Sequence, residues 1–212
     1  MPVTLGGDGA VTLPQLRALH RCHPDLVVLH VDAHTDTFPG EGGERERYNT
    51  ATTFTRAAEE GLVQPGASIH VGARGPTYLP DAYAHAIHLG YNVFPDRDCR
   101  ARGMEAIVAD IRRIVADRPV YLCFDMDWFD PSCAPGVCTP TWGGATAHEG
   151  LWLLRQLSGL RFVAFDVNTV SPPHDSAGMT AFLAAACARE FLFLATSALQ
   201  QASAVTAPAS AP

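Results

Sequence analysis

Short apolar runs alternate with longer segments of mixed polarity along most of the chain. Leu26–Val31, Ser68–Gly72, Val120–Phe124 and Phe162–Asp166 are compact apolar runs that read as buried strands. Leu13–His20, Thr52–Glu60, Gly103–Asp117, His148–Gln156 and Thr180–Leu194 read as helices. Within Arg102–Arg118, Ile107, Ile111, Ile114 and Val115 fall on one helical face. This alternation predicts an α/β fold, a parallel sheet covered by helices. Such sheets place ligand sites outside the carboxyl ends of their strands. The chain opens almost directly on a strand and a Gly6-Gly7 turn.

Two of the apolar runs end abruptly in acids. The first reads Leu26-Val-Val-Leu-His-Val-Asp-Ala-His-Thr-Asp36, the second Val120-Tyr-Leu-Cys-Phe-Asp-Met-Asp-Trp-Phe-Asp130. Alternate residues of a strand share a side, so Asp32, His34 and Asp36 can converge, and so can Asp125 and Asp127. Carboxylates crowded at the end of a buried sheet repel one another and are costly to desolvate. One or two divalent cations relieve both costs, so the pattern predicts a metal site.

At 212 residues, 47% hydrophobic and 17% charged, the chain suits one globular domain with a sizeable core. The net charge of −7 argues against nucleic-acid binding through a basic surface. No run of 18 apolar residues suggests a membrane span. The start lacks the basic and apolar regions of a secretory leader, and a cytoplasmic location is expected. The six cysteines form no CxxC pair; Cys123 is expected to be a buried thiol. Cys133 and Cys138 flank one loop, with no disulfide implied. The Ala/Pro/Ser tail over 201–212 is expected to be disordered, leaving 1–200 as the domain.

Five segments together resemble the ureohydrolase (arginase and agmatinase) family. They begin at Leu5-Gly-Gly-Asp-Gly-Ala-Val-Thr-Leu-Pro14, Val31-Asp-Ala-His-Thr-Asp36, Phe124-Asp-Met-Asp-Trp-Phe-Asp-Pro131, Ala134-Pro-Gly-Val-Cys-Thr-Pro-Thr-Trp-Gly-Gly144 and Phe165-Asp-Val-Asn-Thr-Val-Ser-Pro-Pro-His-Asp175. The resemblance implies a three-layer α/β/α sandwich around a mostly parallel sheet, and hydrolysis of guanidino compounds to urea and an amine with two divalent ions. Manganese is the expected metal, nickel the alternative. It implies Asp32, His34, Asp36, Asp125 and Asp127 as metal ligands. Asp32 and Asp125 would bridge the ions, His34 and Asp127 would complete one shell, and Asp36 would serve the other. Asp127 would also act as the catalytic proton acceptor.

Three positions depart from the family pattern. Gly9 stands where a sixth, histidine ligand is expected, which predicts a weaker second site. Thr50 stands where a loop histidine is expected. Thr169 replaces a glutamate that pairs with the substrate guanidinium. Asn168, Thr169 and Trp142 are the expected substrate-binding residues, forming a small polar pocket suited to a small guanidine. His70, His85, His88, His148 and His174 have no ligand-like spacing, although His174 lies beside the pocket segment. Asp8 is expected to fix a turn.

The expected function is hydrolysis of a linear amidine or guanidino C–N bond. The alternative is a non-catalytic or truncated paralogue acting as a partner subunit; a third reading is a binding module without hydrolysis. The alternative gains from the lost histidines and from an N-terminal part shorter than the family's. That shortness would bare a sheet surface and favour a homo-oligomer or pairing with a related subunit.

Overall fold

A computed structural model of the protein describes residues 1–40, 43–75 and 83–206. Among the described residues, six strands form one sheet: β1 (Val3–Leu5), β2 (Val27–Val31), β3 (Ile69–Val71), β4 (Asn92–Phe94), β5 (Val120–Asp125) and β6 (Phe162–Asn168). Their order is β1-β6-β5-β2-β3-β4, and every neighbouring pair is parallel. The first half of the chain supplies α1 (Thr12–His20), α2 (Glu44–Arg47), α3 (Thr53–Glu59) and α4 (Ala84–His88). The second supplies α5 (Asp96–Arg102), α6 (Met104–Val115), α7 (Ala147–Gln156) and α8 (Met179–Thr206).

Period-two alternation sorts the sheet into two cores. Val120, Leu122 and Phe124 of β5 lie in one core with Ile107 and Ile111 of α6, Leu153 and Leu154 of α7, and Phe191 of α8. Tyr121 and Cys123 point the other way, into a core with Leu13 and Leu16 of α1, Phe54 and Ala57 of α3, and Ala86 of α4. The sheet therefore has helices on both faces, the three-layer sandwich expected. All five residues of β2 and all six of β5 are buried, as central parallel strands require.

The four expected strands and five expected helices are present with small shifts at their ends. β6 runs to Asn168 because its ladder with β5 continues to the Asp125↔Asn168 pair. β4, whose three residues are only half-buried, and the short α4 and α5 carry no clear signal in the sequence.

The longest difference is α8, which continues to Thr206 and not into the disordered segment expected from residue 201. Its last turns are rich in alanine, the strongest helix former, and the next helix breaker is Pro208. Residues 207–212 of the expected tail lie outside the described residues. By length and composition, Met179–Gln200 is also long and apolar enough to cross a membrane, contrary to the sequence expectation. Part of that apolarity is buried: Leu183, Ala184, Cys187, Phe191 and Leu194 lie in the core beside β6. Glu190, also on this helix, meets Arg155 of α7 at 2.9 Å.

Candidate metal centre

Adjacent positions in the sheet bring the two acidic strand ends together. β2 and β5 are neighbours, with Val31 opposite Phe124, so the residues that follow both strands emerge at the same edge. After β2 the chain turns on its own acid: the Asp32 carboxylate accepts from the His34 amide at 2.6 Å. After β5, Asp125 caps a single 3-10 turn over Met126–Trp128, accepting from the Asp127 amide at 2.7 Å. The Ala33 amide donates across to Asp127 Oδ1 at 3.2 Å, tying the two turns together.

His34 sits between two carboxylates. Its Nδ1 lies 3.1 Å from Asp127 Oδ2 and 3.3 Å from Asp32 Oδ1. Gly75 makes room for the ring, since a Cβ there would come within 2.3 Å of His34 Nε2. Ligand atoms of Asp32, His34 and Asp127 lie within 4.8 Å of one another, and so do those of His30, Asp32 and Asp36. Asp36 reaches the cluster with a left-handed backbone (φ 49°), and Thr169, opposite, has φ 66°. Non-glycine residues held there carry strain that the surrounding structure must enforce.

The charges are out of balance. Burial, and then the neighbouring Asp127, push Asp32 and Asp125 well above the ordinary carboxylate range. Burial and Asp32 do the same to Asp36. For Asp127 burial acts upward too, but the hydrogen bond with His34 prevails and holds it at about 2. Burial lowers His34, yet the two carboxylates together raise it to about 11. Four carboxylates thus share one imidazolium. Three of them are reluctant to ionise for want of positive charge, a deficit that divalent cations would fill. The oxygen-rich donor set with one imidazole suits manganese-like ions.

These groups line a cavity of about 410 Å³, together with Gly7, Asp8, Phe38, Thr50, Cys138, Thr139, Thr169, Val170 and Pro172. All five expected ligands face it. Asp8 accepts from the Ala10 amide at 3.1 Å, the turn-fixing role expected of it. Gly9 is buried with no side chain to offer. A Cβ there would stand 3.2 Å from Asp36 Oδ2 and 2.7 Å from Thr50 Oγ1. A side chain at position 9 would therefore point at Asp36, and the Thr50 hydroxyl stands in its way.

The expected substrate residues divide. Thr169 lines the cavity, but its hydroxyl is engaged: it donates to Asp125 and accepts from the Met126 amide at 3.3 Å. Asn168 does not line the cavity. Strand alternation puts it on the side of Asp166, to which it donates at 2.9 Å. Trp142 is 77% exposed and also absent from the cavity wall; its carbonyl accepts from Arg74 at 3.3 Å. His174 is exposed and meets Ser171 Oγ at 2.7 Å. The described cysteines are all free, with Cys123 buried as expected.

Three residues were not singled out in the sequence as part of the site. Thr139 donates to Asp127 Oδ2 at 2.8 Å. Arg74 reaches the carbonyls of Asp127 (3.0 Å) and Thr141 (2.9 Å), pinning the segment that carries Thr139. His30 Nε2 lies 2.8 Å from Asp32 Oδ2. Only His30 left a signal: it precedes Asp32 by two in a strand, and so shares its side.

A profile described as the arginase family matches residues 1–194. The chain is 43% identical over 203 residues to guanidinopropionase of Pseudomonas aeruginosa, covering 95% of this chain and 63% of that protein. It is 37% identical to mitochondrial agmatinase of Gallus gallus, covering 87% of this chain and 54% of the relative. It therefore spans less than two thirds of the length of either relative. Among solved structures, proclavaminate amidino hydrolase from Streptomyces clavuligerus superposes with a TM-score of 0.87 at 38% identity, over 92% of this chain and 64% of that one.

Proposed function

From the premise that this chain belongs to the arginase family, we propose that it hydrolyses a guanidino C–N bond and releases urea at the centre built by Asp32, His34, Asp36, Asp125 and Asp127. One observation carries the reading: a charge-deficient cluster of four carboxylates and an imidazole opens into a single cavity at the carboxyl ends of adjacent parallel strands. Relatives named for guanidinopropionate, agmatine and guanidinobutyrate hydrolysis support this chemistry over the non-catalytic alternative.

In this reading Asp32 and Asp125 would be shared by two divalent ions, with His34 and Asp127 serving one and Asp36 the other. Manganese is the first choice and nickel the second. Bound there, such ions would supply Lewis acidity and a nucleophile at neutral pH. The chain's own residues do the rest. Asp127 keeps an ionised oxygen, Oδ2, that can take up a proton. Thr139 and His34 hold that oxygen in place. Phe38, Val170 and Pro172 form the apolar part of the wall and limit water.

The substrate is a small guanidine or an uncharged amidine. Thr169 brings no carboxylate to the wall, and its hydroxyl is spent on Asp125, so a guanidinium meets no ion pair there. The chain acts in the cytoplasm, as a homo-oligomer or beside a related subunit; the exposed Phe182, Leu192 and Phe193 of α8 suit such an assembly. Urea release measured across guanidine, metformin, guanidinobutyrate, agmatine and arginine, with manganese or nickel supplied, tests the proposal. The smallest guanidines are expected to turn over fastest. Preference for agmatine or arginine would overturn the substrate assignment, and no urea from any of them would return the chain to the non-catalytic alternative.

A further inference from the structure

Behind the cluster lies a pair of imidazoles that the hydrolytic reading does not use. β2 and β3 pair with His30 directly opposite His70. Both rings are 1% exposed, and their Nδ1 atoms approach to 2.9 Å. Phe54 lies against both, at 4.4 Å from His30 and 5.2 Å from His70 between ring centroids. Tyr91 closes the far side at 4.7 Å from His70. His30 Nε2 meets Asp32 Oδ2 at 2.8 Å, while His70 Nε2 is buried with no partner.

These contacts fix where the ring protons sit. His70 Nε2 has no acceptor, so the His70 hydrogen sits on Nδ1, facing His30, and the His30 hydrogen is left on Nε2, facing Asp32. Two Nδ1 atoms at 2.9 Å share one hydrogen between them. A buried imidazolium at His30 would leave His70 with a buried N–H and no acceptor, as well as a desolvated charge. The economical arrangement keeps both rings neutral. His70 Nδ1–H donates to His30 Nδ1, His30 Nε2–H donates to Asp32 Oδ2, and the bare nitrogen of His70 is the one left facing the aromatic cage.

We propose that His30 and His70 form a two-ring strut that acts through Asp32: it binds one carboxylate oxygen from behind and so fixes the aim of the other into the metal centre. Both are positioning residues. Asp32 Oδ1 is left to the cavity side, where it meets the His34 amide and ring. Hydrogen-bond partners behind a ligand typically change metal affinity by about 10–100-fold. The inference rests on the metal-centre reading for its consequence, but not for its geometry.

The strut is tested first without metal. Nitrogen-15 NMR of the full chain's histidine rings should show the Nε2–H form for His30 and the Nδ1–H form for His70. His70→Leu removes the donor and frees the proton of His30 to move. It should weaken manganese binding, measured by calorimetry, by about tenfold. His70→Gln, whose amide can still donate to His30, should restore affinity to within about threefold of the parent chain. Should His70→Leu disturb folding, the glutamine variant and the ring tautomers still decide the matter. The opposite tautomers, or full manganese affinity in His70→Leu with an unchanged His30 ring, would overturn the strut. If the parent chain binds no manganese, the metal-centre reading falls, and the tautomers alone judge the strut.

Discussion

Gly9 and Thr50 interlock. The space a side chain at position 9 would enter is taken by the Thr50 hydroxyl, 2.7 Å from the hypothetical Cβ. No left-handed backbone bars substitution there, since Gly9 is not among the positive-φ glycines. Gly9→His alone should thus overpack the site and lower stability by about 1–3 kcal/mol. Gly9→His with Thr50→Gly should instead direct an imidazole at Asp36 and tighten the weaker manganese step by about tenfold, roughly 1.4 kcal/mol. Calorimetric titration of the single and double variants checks this. An equally tight pair of sites in the parent chain would show that position 9 is not where the second shell falls short.

The chain's elements were legible where burial is strong and periodic. β2 and β5 are buried on both faces and announce themselves as apolar runs, and α6 shows its core stripe through Ile107 and Ile111. The five candidate ligands were legible for the same reason, as four acids and a histidine ending those runs, and all five line one cavity. The rest of the cavity wall was not legible. Thr169 and Asn168 are adjacent in sequence but point to different sides, and only the β6 register decides which faces the cavity. Arg74 and Thr139 act through loops whose paths no periodicity encodes. Between elements, Glu190 of α8 joins Arg155 of α7. Arg155, followed by Arg189, holds its carboxyl below the ordinary range. A depressed carboxyl contributes stability at pH above its unfolded value and loses it as pH falls through the folded one. Glu190→Gln should therefore lower the melting temperature near neutrality and leave acid stability below about pH 4 nearly unchanged. A uniform loss at every pH would assign Glu190 a packing role only. The effect is small, because both arginines are more than half exposed.

At the scale of the molecule, the cluster of carboxylates opposes its own fold when no cation is bound. Burial and mutual repulsion raise three of its carboxyls, so the metal-free chain carries the cost of protonating or crowding them. An ion that binds only the folded chain shifts the balance by mass action. At a hundred times its dissociation constant it adds about 2.7 kcal/mol. For a chain of this length, that raises the melting temperature by roughly 5–10 °C. Manganese should produce this rise in a thermal melt and a chelator should reverse it. Asp32→Asn should abolish it; a rise that survives in that variant would place the ion elsewhere.

The pairing of β2 with β5 also has a kinetic side. Ala33 and Asp127 are 94 residues apart in sequence but are joined by one hydrogen bond. Neither acidic tip can assemble the cluster alone, and no local segment of the chain presents it. The carboxylates of the two tips come into mutual repulsion only when the central ladder closes, a long-range event that loop-closure entropy makes slow. A cation that waits for this step serves as a latch on a closing door: it has little to grip in the early, open chain and holds fast once the two strand tips meet. Its signature is a slower opening rate with an almost unchanged closing rate.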